Sequence, residues 1–176
     1  MKKMLNRFDC AGQICEAMKK GILITTKAEG KVNTMTIGWG HIGIEWSRPI
    51  FVAYVRETRH TRHMLDVSGE FTVNIPVEST DPRILGFCGT KSGRDMDKIR
   101  ELGLTLEEPV SISVPGIREL PLTLECKVIY KQKQDLSALP ADILARYYPE
   151  DETGFRDYHY AYYGQILNAY MITDEE

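Results

Sequence analysis

The sequence of 176 residues has no apolar run long enough to cross a bilayer as a helix. PIFVAYV (Pro49–Val55) is among its longest, and a spanning helix needs about 20 such residues. No surplus of basic residues is present either. Lys and Arg number 22 against 25 Asp and Glu, a net charge of −3, which argues against nucleic acid as a partner. Cysteine is sparse. Cys10, Cys15, Cys88 and Cys126 form no CxxC pair and no zinc-type spacing, so four reduced thiols and no metal are expected. MKKMLNRFDCAG begins basic but leads into no apolar stretch, so the expectation is no signal peptide and a cytoplasmic location. Repeats and low-complexity linkers are also missing. The whole of 1–176 therefore reads as one domain, with an ordinary globular balance of 43% hydrophobic and 27% charged residues. No carboxylate pair, Ser/His/Asp set or P-loop (GxxxxGK[ST]) can be assembled from it.

Local signals place the elements that are there. A first helix is expected from a cap at Asp9, with Ile14 and Met18 on one face and Gly21 beyond its end. GILITT (Gly21–Thr26) reads as a strand, AEGK (Ala28–Lys31) as a hairpin turn and NTMTIGWG (Asn33–Gly40) as the returning strand. After a loop, PIFVAYV reads as a central strand. Thr58–Val67 follows as a short helix closed by Gly69, and EFTVNIP (Glu70–Pro76) as another strand. DPRILGFCG gives a short helix with Pro82 in its first turn. CGTKSGRD is then a loop before a helix at Asp95–Leu102. LPLTLECKVIYKQ (Leu120–Gln132) alternates as a long strand, Pro140 opens a helix through Tyr147, and YYGQILNAYMI (Tyr162–Ile172) is the last strand. At least six strands at hairpin-like spacing argue a mainly β chain, an antiparallel barrel with short helices.

Three segments carry chemistry. YVRETRHT (Tyr54–Thr61) ends a strand and enters a helix, so Arg56, Arg59 and Thr61 with free helix N–H groups make a phosphate cradle. On composition alone the same arginines also suit a solvated charged face. In NTMTIGWG, alternation sets Thr34 and Thr36 on one face and Asn33, Met35 and Ile37 on the other. Trp39 either covers a flat ligand or fills the core. CGTKSGRDMDK (Cys88–Lys98) offers Lys91, Ser92, Gly93 and Lys98 to an anion, or is simply a capped helix start. His159, in DYHYAYYG, stands among tyrosines.

The ordered run KGILITT, GKVNTMTIGWG, RPIFVAYVRETRHT, SGEFTVNIP and CGTKSGRDMDK, over about residues 20–100, resembles the flavin reductase-like FMN-binding split-barrel family. DYHYAYYG extends the resemblance to the last strand. It implies a mainly β, Greek-key-like antiparallel split barrel that forms a homodimer and binds FMN near the subunit interface. It also implies hydride or electron transfer, from NAD(P)H or a redox protein to a flavin or another small acceptor. Asn33, Thr34, Met35 and Thr36 would line the flavin, with Trp39 near its ring. Arg56, Arg59 and Thr61 would bracket the phosphate and ribityl end, Val55 beside them would also contact the cofactor, and Ser92, Gly93 and Lys98 would complete the site. His159 matches a histidine near the flavin and is the one catalytic candidate. The short glycine–aspartate–histidine motif of two-component flavin reductases is replaced by DYHYAYYG, which points to the flavoredoxin-type group. Two alternatives accompany this reading: an electron-transfer protein with no nicotinamide site of its own, and a non-catalytic FMN-binding module. Residues 103–155 carry no motif.

Overall fold

The computed structural model describes residues 1–78 and 80–174. A short strand β1 (Lys2–Met4) and helix α1 (Ala11–Met18) precede two hairpins, β2 (Ile22–Ala28) with β3 (Lys31–Ile37) and β4 (Gly40–Glu45) with β5 (Arg48–Arg56). Helix α2 (His60–Ser68), strand β6 (Glu70–Ile75), and helices α3 (Pro82–Thr90) and α4 (Lys98–Leu102) follow. Then come β7 (Leu106–Glu107), β8 (Gly116–Ile117), β9 (Leu122–Lys133), α5 (Ala141–Tyr147) and β10 (His159–Ile172). Among the described residues no helix is long and apolar enough to cross a membrane.

Eight strands form one antiparallel sheet in the order β3-β2-β6-β9-β10-β5-β4, with β1 also paired to β10. The path runs from β3 to β4 without closing, so the barrel is split. Both hairpins turn on two residues of positive φ: Glu29 (52°) and Gly30 (76°), then Trp46 (50°) and Ser47 (56°). That backbone matches the right-handed twist of the flanking strands. AEGK announced the first turn. The second was hidden, because Trp46 and Ser47 are not the Gly, Asn or Asp that usually mark such a turn.

Ile22 to Thr26 are all fully buried because β2 is covered on both faces. Ile22 and Ile24 join Phe51, Phe71 and Val73 in the main core. Leu23 packs on the other side with Ile84, Cys88, Ile117 and Leu120, beneath α3. Full burial of a Leu or Ile side chain stabilises by about 1.5–3 kcal/mol, so this short strand anchors two layers. The long β9–β10 pair is bent by register shifts at Tyr163/Gly164 and Ile166/Asn168, which curl the sheet around the main core.

Three local expectations shift. Cys10, not Asp9, precedes α1, and no side chain caps that helix. Helix α3 runs on to Thr90, one residue past DPRILGFCG, so the loop begins later than CGTKSGRD. Helix α4 starts at Lys98 rather than Asp95, and the Asp97 carboxylate caps it by accepting the Arg100 N–H.

Candidate functional site

The end of β3, the end of β5, the start of α2, the loop after α3 and the start of β10 converge at one end of the sheet. They enclose two adjoining pockets, of 180 Å³ and 130 Å³, that share Met35 and Arg59.

The smaller pocket is cationic. Lys91, Arg94, Lys98, Arg59 and His60 line it, and no carboxylate is among its described lining residues. Lys98 is only 3% exposed. Its ammonium donates to the carbonyls of Cys88 and Lys91 at 3.3 and 3.2 Å, and burial lowers its pKa. Burial lowers the pKa of His60 too, and Arg94, His63, Lys98 and Lys31 add to the effect. Cations gathered around a hollow of 130 Å³ at the start of a helix give it the chemistry suited to an anion. Its hydroxyl and amide groups are fixed: Asn33 Nδ2 donates to Thr61 Oγ1 at 3.1 Å, and Ser92 Oγ accepts the Arg94 N–H at 3.2 Å. A Cβ on Gly93 would lie 2.1 Å from Asn33 Oδ1, so only glycine lets this loop close on the strand.

The larger pocket is flatter and aromatic. Trp39, 41% exposed, stands at its mouth with its ring 4.9 Å from that of His159 and 5.2 Å from that of Tyr147. Tyr54 and the backbone of Gly38 complete the wall. Gly38, Trp39 and Tyr54 also line a third hollow of 640 Å³, which extends past Tyr147, Tyr148, His41 and Met18.

Most of the residues expected from the sequence meet here. Asn33, Met35, Thr36, Trp39, Arg56, Arg59, Thr61, Ser92, Gly93, Lys98 and His159 all line one of the two pockets. Thr34 and Val55 do not. Both are fully buried: the Thr34 hydroxyl bonds within a polar strip formed with Thr25, and Val55 belongs to the main core. Alternation along β5 turns Val55 inward, whereas Thr34 is held inside by its hydrogen bonds. Arg56 is present but committed. Its guanidinium donates to the carbonyls of Asp157 and Tyr147 at 2.6 and 3.0 Å, so it clamps the segment before β10 rather than reaching the cationic pocket. By contrast the Arg59 guanidinium has no hydrogen bond or ion pair among the described residues.

Sequence reasoning missed Arg94, His60, Tyr54, Tyr147 and Tyr148. Tyr54 and His60 lie within YVRETRHT and were legible as site neighbours. Tyr147 and Tyr148 come from the stretch without motifs, and nothing local marks them.

His159 opens β10 and is 6% exposed. The Tyr148 hydroxyl lies 2.9 Å from its Nδ1. Burial, reinforced by Arg56, holds its pKa down at about 4. An unfolded histidine takes up a proton near 6.5, so between those values the unfolded chain binds more protons. Stability is therefore full above pH 6.5 and falls as the pH drops towards 4, by up to about 3 kcal/mol. Urea unfolding of the wild type and of His159→Gln should diverge in this sense across that window. A stability difference that does not change with pH would refute the assignment.

Comparisons with known proteins bear on the family and the fold. Residues 18–174 match the family model described as the flavin reductase like domain. A protein of Archaeoglobus fulgidus described as uncharacterized is 31% identical over 99 residues, 56% of this chain and 55% of that one; the chain thus spans about half the length of the curated relative it matches. Flavoredoxin of Desulfovibrio vulgaris (Miyazaki F) superposes with a TM-score of 0.65 at 22% identity, covering 86% of this chain and 69% of that one. An FMN-binding domain of a flavin reductases-like enzyme from Shewanella baltica gives 0.65 at 15% identity, covering 97% and 77%. An FMN-binding protein of Thermus thermophilus, solved with p-hydroxybenzaldehyde, gives 0.60 at 15% identity, covering 84% and 68%. At these identities the structural likenesses establish the fold.

Proposed function

Because the chain belongs to the flavin reductase-like family, we propose that it binds FMN across the two joined pockets and works as an oxidoreductase, moving hydride or electrons from NAD(P)H or a redox protein to a flavin or another small acceptor. The observation that carries this reading is the junction itself: a cationic pocket with no carboxylate among its described lining residues adjoins an aromatic-walled one, and Arg59 borders both. The residues present fit the group. Arg59, Lys98, Thr61, Ser92 and the close-packed backbone at Gly93 suit a phosphate dianion and sugar hydroxyls, and Trp39, Met35 and Tyr54 suit a flat ring. When bound, FMN supplies a ring that takes up and releases hydride or single electrons.

The chain's own part is to bind and orient. Cations and hydroxyls fix one end of the ligand, Trp39 limits water at the other, and positioning dominates the rate of a hydride step between stacked rings. The hollow of 640 Å³ beside Trp39 is the place for a second planar molecule.

A specific observation favours the second reading, a flavoredoxin-like electron carrier. Lys19 is the one lysine or arginine among the described residues lining that hollow, while a nicotinamide dinucleotide carries at least two phosphate charges. A homodimer and a cytoplasmic setting belong to the same proposal. The exposed aromatic face where Trp46 meets Tyr130 and Tyr163 supports the first, and four unpaired thiols support the second.

The purified protein should take up FMN and show the yellow flavin spectrum. Anaerobic NADH or NADPH should bleach it if it is a reductase. Bleaching only by a reduced ferredoxin-type donor would establish the carrier. A protein that ignores added FMN in a fluorescence titration would sink both readings.

A further inference from the structure

His159 has a neighbour whose arrangement goes beyond filling space. Tyr148, directly after α5, is 2% exposed, and its hydroxyl meets His159 Nδ1 at 2.9 Å. Gln134 stands on the other side. Its Oε1 accepts the backbone N–H of His159 at 3.4 Å, which leaves the amide NH2 as the group free to donate. Burial raises the pKa of the Tyr148 phenol, and the Gln134 side chain opposes that rise. Among the described residues His159 Nδ1 is the one hydrogen-bond partner of the Tyr148 hydroxyl, and a buried phenol proton is satisfied only by pointing at it.

A neutral imidazole carries one N–H. The charged groups facing this ring are Arg56, Arg59 and Asp157; the two arginines and burial keep it neutral near pH 7. With Nδ1 accepting from Tyr148, the proton must sit on Nε2, which has no hydrogen bond among the described residues. The ring cannot turn over without losing Tyr148, and Trp39, at 4.9 Å, and Tyr54, at 6.4 Å, pack against it. His159 lines the 180 Å³ pocket, and the ring edge not held by Tyr148 carries Nε2.

We propose that Gln134 and Tyr148 are positioning residues that lock His159 in its Nε2–H tautomer, so that His159 presents a neutral hydrogen-bond donor to an acceptor atom of the ring bound in the adjoining pocket. The ligand half of this inference rests on reading that pocket as the flavin site. It defines the contact chemically: a carbonyl oxygen or an unprotonated ring nitrogen, not an N–H. Tyr148 and Gln134 act through His159 and need not touch the ligand.

The lock is read in the ligand-free protein by proton–nitrogen correlation spectra of the nitrogen-15-labelled imidazoles, with His159→Gln identifying the signals. In the wild type His159 should show the Nε2–H pattern alone. Tyr148→Phe should let both tautomers appear. Gln134→Glu, whose carboxylate would take the Tyr148 proton, should move the imidazole proton to Nδ1. An Nδ1–H wild type, or spectra unchanged in both variants, would overturn the lock. In fluorescence titrations Gln134→Glu should weaken FMN binding about three- to tenfold, the scale of one hydrogen bond; unchanged affinity would overturn the ligand contact. A wild type that binds no FMN would overturn the flavin reading, and the ligand-free spectra would still decide the tautomer.

Discussion

Replacing Arg59 by Ala should raise the Kd for FMN about ten- to hundredfold and leave riboflavin binding nearly unchanged. Arg59 is the residue before α2, in extended backbone, and its side chain borders both pockets. Since the guanidinium makes no hydrogen bond or ion pair among the described residues, truncation leaves no partner stranded and should not disturb folding. The loss is then read on the ligand alone. Charge-assisted hydrogen bonds contribute about 1.5–3 kcal/mol, and each 1.4 kcal/mol is a factor of about ten in Kd. Riboflavin lacks the phosphate and so has no charge to lose. Parallel fluorescence titrations of the two flavins check this. Equal losses would mean that Arg59 shapes the pocket without meeting the phosphate. Lys98 is a poorer probe, because its ammonium also holds two backbone carbonyls and its removal would unsettle the loop itself.

Gly164→Val should destabilise the fold by about 3 kcal/mol, at the upper end of overpacking costs. Gly164 lies in β10 at a register shift against β9. A Cβ there would come within 2.5 Å of Phe71 Cζ and 2.9 Å of Cys126 Cβ. Phe71 and Cys126 are fully buried, and the Cys126 Cβ is tied to its backbone, so neither can retreat cheaply. For a chain of this size Tm should fall by roughly 6–12 °C. Gly43→Ala on the edge strand β4 is the control, since nothing lies within 4 Å of its added Cβ; its Tm should stay close to that of the wild type. Similar losses in the two variants would show that backbone freedom, not crowding, is what glycine supplies at position 164.

The elements with strong local signals were legible. AEGK turns where two successive residues take positive φ. Gly69 ends α2 in the left-handed conformation, and Asp81 caps α3 by accepting the Arg83 N–H. Strand β4 was not legible, because the turn at Trp46 and Ser47 that pairs it with β5 carries none of the Gly, Asn or Asp that usually announce a hairpin. Within the site, Asn33, Arg59, Thr61, Ser92, Gly93 and Lys98 could be named because they fall in segments whose order resembles a family. Alternation alone did not decide which side chains of those segments face a pocket: it grouped Thr34 with Thr36, yet the first is sealed in a polar strip and the second reaches the pocket edge.

By itself, the sequence determined a mainly β chain of one family, with cations and a glycine loop gathered near a helix start. Those features depend on neighbours in the chain, and local propensity and spacing report them. Only the tertiary structure decided that Arg56 is a clamp while Arg59 is uncommitted, and that Tyr148, from a stretch without motifs, stands against His159. These depend on how β5, α5 and β10 pack, and such contacts join residues far apart in sequence whose spacing carries no period.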